Sequence, residues 1–78
     1  MKKYEVVKEV FHPCGGDKRP DSREILELNL EDPAHYVQQQ YMRERTVEFL
    51  SLQGKDGSPV IEALLEGGRK HRYTFSEL

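Results

Sequence analysis

Residues 24–43 read EILELNLEDPAHYVQQQYMR, and two different periods meet inside this stretch. Leu26, Leu28 and Leu30 fall on one side of an extended chain, and Glu27, Asn29 and Glu31 on the other. A period of two with one apolar face predicts a half-buried antiparallel strand over residues 24–31. Asp32-Pro33 then predicts a helix start. The Asp32 side chain can accept hydrogen bonds from the free N–H groups of a first turn. Pro33 at the first helical position loses nothing by lacking an N–H. Ala34, Val37 and Tyr41 follow at i, i+3 and i+7 and make one apolar stripe. This reading carries the helix to about Arg43 or Arg45, whose charges suit the negative end of its dipole.

Upstream, residues 3–11 (KYEVVKEVF) are rich in Val and aromatics and predict a strand. Tyr4, Val6 and Val10 share one face; Val7 and Phe11 share the other. A helix would instead align Tyr4, Val7 and Phe11. Residues 12–22 (HPCGGDKRPDS) read as a loop, punctuated by Gly and Pro. Downstream, residues 46–53 (TVEFLSLQ) predict another strand. Gly54-Lys55-Asp56-Gly57 suits a type I turn in which Gly57 takes the left-handed position. Residues 59–66 (PVIEALLE) read as the partner strand, because the segment between two turns is too short for a stable helix. Gly67-Gly68 reverses the chain into a last strand over residues 70–76 (KHRYTFS).

Two registers compete for that last hairpin. A two-residue Gly-Gly turn sets Glu62 opposite Tyr73 and Leu64 opposite His71. A three-residue loop through Arg69 sets Ile61 opposite Phe75, Ala63 opposite Tyr73 and Glu66 opposite Lys70. The second separates apolar from charged faces better and is the one expected. The element order is then β-β-α-β-β-β. One helix over a mostly antiparallel sheet predicts an α+β fold of two layers, formed by residues 1–78 as a single small domain.

Composition narrows the function classes. No stretch approaches the ~18 consecutive apolar residues of a membrane-spanning helix. Glu5, Lys8 and Glu9 interrupt the apolar run that a secretory signal needs after Lys2 and Lys3. The 12 basic and 14 acidic side chains are spread over both halves, so bulk charge favours neither nucleic acid nor an acidic membrane surface. With one cysteine, Cys14, an intrachain disulfide is impossible, and a reducing cytoplasm is the expected compartment. A core this small supplies only ~3–5 kcal/mol of net stability. A metal, a partner or self-association is left as the missing support, and homodimerisation is the one expected.

Three segments hold candidate site residues. In the loop His12-Pro13-Cys14-Gly15-Gly16-Asp17-Lys18-Arg19, the backbone N–H groups around Gly15 and Gly16 can form an anion-binding nest, with Lys18 and Arg19 adding positive charge. His12 lies close enough in sequence to activate the Cys14 thiol. The plainer reading is a surface loop, since no C-x-x-C or phosphate-loop spacing is present. Arg69, Lys70, Arg72 and Tyr73 mix basic charge with an aromatic ring, as single-strand nucleic-acid platforms do. The plainer reading makes Tyr73 and Phe75 core residues of an amphipathic strand, with Glu62, Glu66 and Glu77 neutralising the charge. On the helix, Tyr36, Gln38, Gln39, Gln40 and Met42 lie off the stripe. They form either an adaptable protein-binding surface or, for Tyr36 and Met42, the edges of the core.

His12, Cys14, His35 and His71 lack zinc-ligand spacing, so no metal or cofactor is expected. The outward carboxylates show no paired acid/base arrangement, and the chain is too short to enclose a substrate pocket alone. The sequence thus favours a non-catalytic protein-binding module, with homodimerisation as one mode. Anion binding at residues 14–19, Cys14 thiol chemistry and single-strand binding at residues 69–75 stand behind it.

Overall fold

The computed structural model describes residues 2–12, 22–44, 46–54 and 56–78. Within them the elements are β1 (Lys2–Phe11), β2 (Ser22–Leu30), α1 (Pro33–Gln40), β3 (Val47–Gln53), β4 (Pro59–Leu65) and β5 (Lys70–Glu77). The strands form one sheet in the order β2-β1-β5-β4-β3, with every neighbouring pair antiparallel. The first and last strands meet in the middle, from Tyr4↔Glu77 to Phe11↔Lys70. The Leu78 N–H donates to the Lys3 carbonyl at 2.9 Å and closes the end of that ladder.

The expected α+β class with a helical layer is overturned. Of the described residues, 62% are strand and only 12% helix, so the molecule is a small antiparallel sheet carrying one short helix. Asp32 caps the helix as expected, accepting from the Ala34 N–H at 3.0 Å. The far end differs. The helix stops at Gln40, because Tyr41 leaves helical geometry (φ −120°, ψ 23°) and turns its ring into the core. Its N–H bonds the Gln38 carbonyl at 3.1 Å, a tightened last turn. Arg43 lies beyond the helix end and Arg45 outside the described residues, so the expected basic last turn is absent. Eight residues make a rod of about 12 Å, which caps part of one sheet face and is no second layer.

The core lies under that helix. Tyr4 and Val6 of β1, Ile61, Ala63 and Leu65 of β4, and Tyr73 and Phe75 of β5 meet Val37 and Tyr41. Leu28 and Leu30 of β2 and Val47 and Phe49 of β3 pack at its margin. Tyr36 joins them with its ring edge-on to Tyr73 and Phe75, at 6.3 Å from each. Met42 stands exposed.

The β3–β4 and β4–β5 turns depend on glycine. Gly57 has φ +83°, the left-handed residue expected in the β3–β4 turn. The β4–β5 turn corrects the expected register. Leu65 and Arg69 close it, the Leu65 N–H donating to the Arg69 carbonyl at 2.8 Å, so the loop is Glu66-Gly67-Gly68. Ile61 then pairs with Tyr73, and Ala63 with His71. The reason is local: Gly67 (φ +87°) and Gly68 (φ +85°) take both left-handed positions, and Arg69 is spared a conformation costly for a residue with a Cβ. The shift spans an even number of positions, so Ile61, Ala63, Tyr73 and Phe75 still share the core face.

Candidate functional site

The chemistry-bearing residues singled out by sequence do not gather in one place. His12 is exposed at the end of β1. Cys14, Gly15, Gly16, Lys18 and Arg19 lie outside the described residues. In β5 the residues divide between the two faces of the sheet. Tyr73 is 2% exposed in the core, Lys70 and Arg72 point to the opposite face, and Arg69 sits at the exposed turn. Lys70 and Arg72 therefore lie on the opposite face of the sheet from the Tyr73 and Phe75 rings. His35 lies exposed on α1, while His71 is half-buried on the core face. Among the described residues, no three His, Cys, Asp or Glu side chains cluster as metal ligands.

The core face holds one polar chain. The Tyr41 hydroxyl lies 2.5 Å from His71 Nδ1 and 2.8 Å from the Tyr73 hydroxyl. Burial, and then the bond to Tyr73, raises the Tyr41 pKa far above the usual tyrosine value. Burial raises Tyr73 as well, partly offset by its bond from Tyr41. Burial, followed by the charges of Lys8, Arg69 and His12, lowers His71 below the usual histidine value; Glu44 opposes this weakly. The three groups thus stay neutral near pH 7 and satisfy one another between helix and sheet. Phenols held this far from ionisation are poor general bases.

The face away from the helix is built from charge and scattered apolar side chains. Glu62 is 6% exposed, and its Oε2 accepts from Arg72 Nε at 2.8 Å and pairs with Lys70 at 3.8 Å. Lys70 and Arg72 also stand 4.9 and 5.0 Å from the centre of the Phe11 ring. A buried carboxylate needs such partners, because desolvation otherwise drives it neutral. Beyond this cluster the same face carries Val7 and Val60 in the middle strands and Ile25, Leu50 and Leu52 on the two outer ones. Ile25 is 61% exposed, and Leu26, Leu50 and Leu52 are exposed too.

Comparison with protein-family models, with curated proteins and with solved structures finds no match.

What the chain offers chemically is thus read from its own surface. A shallow groove of about 310 Å³ runs between the end of β2 and α1, lined by Asn29, Leu30, Asp32, His35, Tyr36 and Gln39. It opens to solvent, and its lining includes the titratable groups Glu31, Asp32 and His35. No helix among the described residues is long and apolar enough to cross a membrane. The features with directional binding capacity are the two edge strands, β2 and β3. An edge strand has one row of backbone N–H and C=O groups without a ladder partner.

Sequence reasoning named Glu62 as a neutraliser of the basic run but missed its burial, and it missed Ile25. The signal for Glu62 was a lone acid inside PVIEALL, with Lys70 and Arg72 two positions apart in the facing strand. The signal for Ile25 was an apolar residue on the polar side of a strand that otherwise alternates cleanly.

Proposed function

We propose that this chain is a non-catalytic interaction module that binds protein by adding a strand to its open β2 edge. The observation that carries this reading is the exposure of Ile25 and Leu26 on a nine-residue edge strand. Edge strands are normally blunted by charged side chains, above all Lys, by Pro or by a bulge, and β2 carries Arg23, Glu24 and Glu27 among its nine residues. β2 contains neither Lys nor Pro, and its pairing with β1 runs unbroken from Lys2↔Leu30 to Val10↔Ser22. Strand addition draws affinity from main-chain hydrogen bonds and specificity from alternate side chains. The cytoplasm is the compartment we assign, on the ground of one cysteine and no possible intrachain disulfide.

The test is retention on a tagged chain. Tagged wild type and tagged Ile25→Lys are incubated with extract of a cell that also makes the untagged chain. A lysine on an edge strand disfavours strand addition, and Ile25 is exposed enough for the fold to tolerate it. Wild type should retain a protein, either another species or the untagged copy, and Ile25→Lys should lose it. Equal retention by both overturns the proposal.

A further inference from the structure

On the face away from the helix, a row of alternating charge crosses the sheet. Glu62, Arg72, Glu9 and Arg23 are successive cross-strand neighbours on β4, β5, β1 and β2. The row stops at Arg23 because β2 is the edge. Two rows further along, the pattern breaks. Glu5 and Glu27 stand directly opposite each other, an arrangement in which like charges repel. Lys3 reaches Glu27 at 3.6 Å and relieves this only from one side. Between the two rows lies Ile25, opposite Val7. On this face β2 therefore offers its open side a positive, an apolar and a negative residue in sequence. An antiparallel copy of the same three residues offers the complement.

We infer that β2 pairs with β2 of a second copy of this chain, antiparallel, about a twofold axis through Ile25. The inference rests on the interaction-module reading and names its partner. In this register Arg23 meets Glu27 of the second copy, and Glu27 meets Arg23 of the second copy. The charge row gains the acid it lacks at its end. The Glu5–Glu27 pair gains a cation. Ile25 meets its own counterpart and extends the apolar line of Val60, Thr74 and Val7.

Neighbouring registers fail on the same residues. A twofold axis normal to the sheet pairs only residues on the same face, so the alternatives are centred one residue away. Centring on Leu26 sets Ile25 against Glu27, much as the Ile25 register sets Leu26 against Glu24 on the other face, but it forms no charge pair where the Ile25 register forms two. Centring on Glu24 sets that carboxylate against its own copy.

Sedimentation velocity on the full chain over a range of concentrations tests this. Wild type should form a dimer that weakens with added salt, as exposed ion pairs are screened. R23E and E27R should each raise the dimer dissociation constant about tenfold or more, because two attractive contacts become repulsive. Mixing R23E with E27R should restore a dimer containing one of each, identified by native mass. In that heterodimer the reversed charges meet at one end and the native charges at the other. I25K, which places like charge on the axis and leaves the core untouched, should also dissociate the dimer with its far-ultraviolet spectrum unchanged. A monomer at every concentration overturns the second copy as partner, while retention of another protein in the preceding experiment would leave the module reading standing. A dimer unmoved by R23E, E27R and I25K overturns the edge and its register.

Discussion

At the scale of single residues, His71 is the group whose surroundings make a measurable claim. Its folded pKa lies below the ordinary value of 6.5, chiefly because it is buried and then because Lys8, Arg69 and His12 face it. The unfolded chain therefore takes up a proton near pH 6.5 that the folded chain resists. By linkage, the stability His71 contributes is complete above pH 6.5 and is lost as pH falls through its lowered folded pKa. Between pH 7.5 and pH 5, the urea midpoint of the wild type should fall, and that of His71→Gln should fall less. Parallel falls in the two would refute the assignment. How far such residues were legible in the sequence is shown by Tyr73. Alternation put it on one face with Phe75, which is where it lies. Whether that face was a core or a base-stacking platform depended on what covered it, and Val37 and Tyr41 come from a segment about 30 residues away in the chain. Local pattern carries no information on that distance.

At the scale of elements, turns were more legible than ends and registers. The glycines at 57, 67 and 68 all adopt positive φ, as turn chemistry requires. The exact loop was not legible, because Gly-Gly next to Arg69 admits several closures that differ by one or two residues. The structure chooses the closure that gives both left-handed positions to glycine. That choice has an energetic consequence. A methyl group at Gly67 would meet nothing within 4 Å, so any cost of Gly67→Ala is purely conformational. A left-handed alanine costs about 1–2 kcal/mol, and urea denaturation should show a loss of that size with the slope unchanged. Stability equal to wild type would mean the loop closes elsewhere. The helix teaches the converse lesson. Its start was legible because Asp32-Pro33 is a local signal. Its end was not, because Tyr41 leaves the helix to bond His71 and Tyr73, which are remote in sequence.

At the scale of the molecule, the fold is two sub-sheets held by one seam. β2 and β1 form one, β5, β4 and β3 the other, and the β1–β5 ladder joins them. The seam closes the chain's two ends on each other, a non-local contact that alternation within each strand could not specify. Phe75 sits on it at 0% exposure. It pairs with Val6 across the seam, takes the Tyr4 ring edge-on at 6.1 Å and the Tyr36 ring of the helix at 6.3 Å, and stacks with Tyr73 at 6.4 Å. One ring thus ties both sub-sheets and the helix together. Phe→Ala in a closed core costs about 3–5 kcal/mol, which matches the ~3–5 kcal/mol that a domain of this size has in total. Phe75→Ala should therefore lack a cooperative thermal transition, whereas Phe75→Leu, which keeps most of the volume, should retain one at lower temperature. Leu50→Ala supplies the contrast, because Leu50 lies exposed on the outer strand β3, away from the seam. It should melt close to wild type. If Phe75→Ala melts there as well, the seam is not what holds the halves together, and the support must come from outside the single chain.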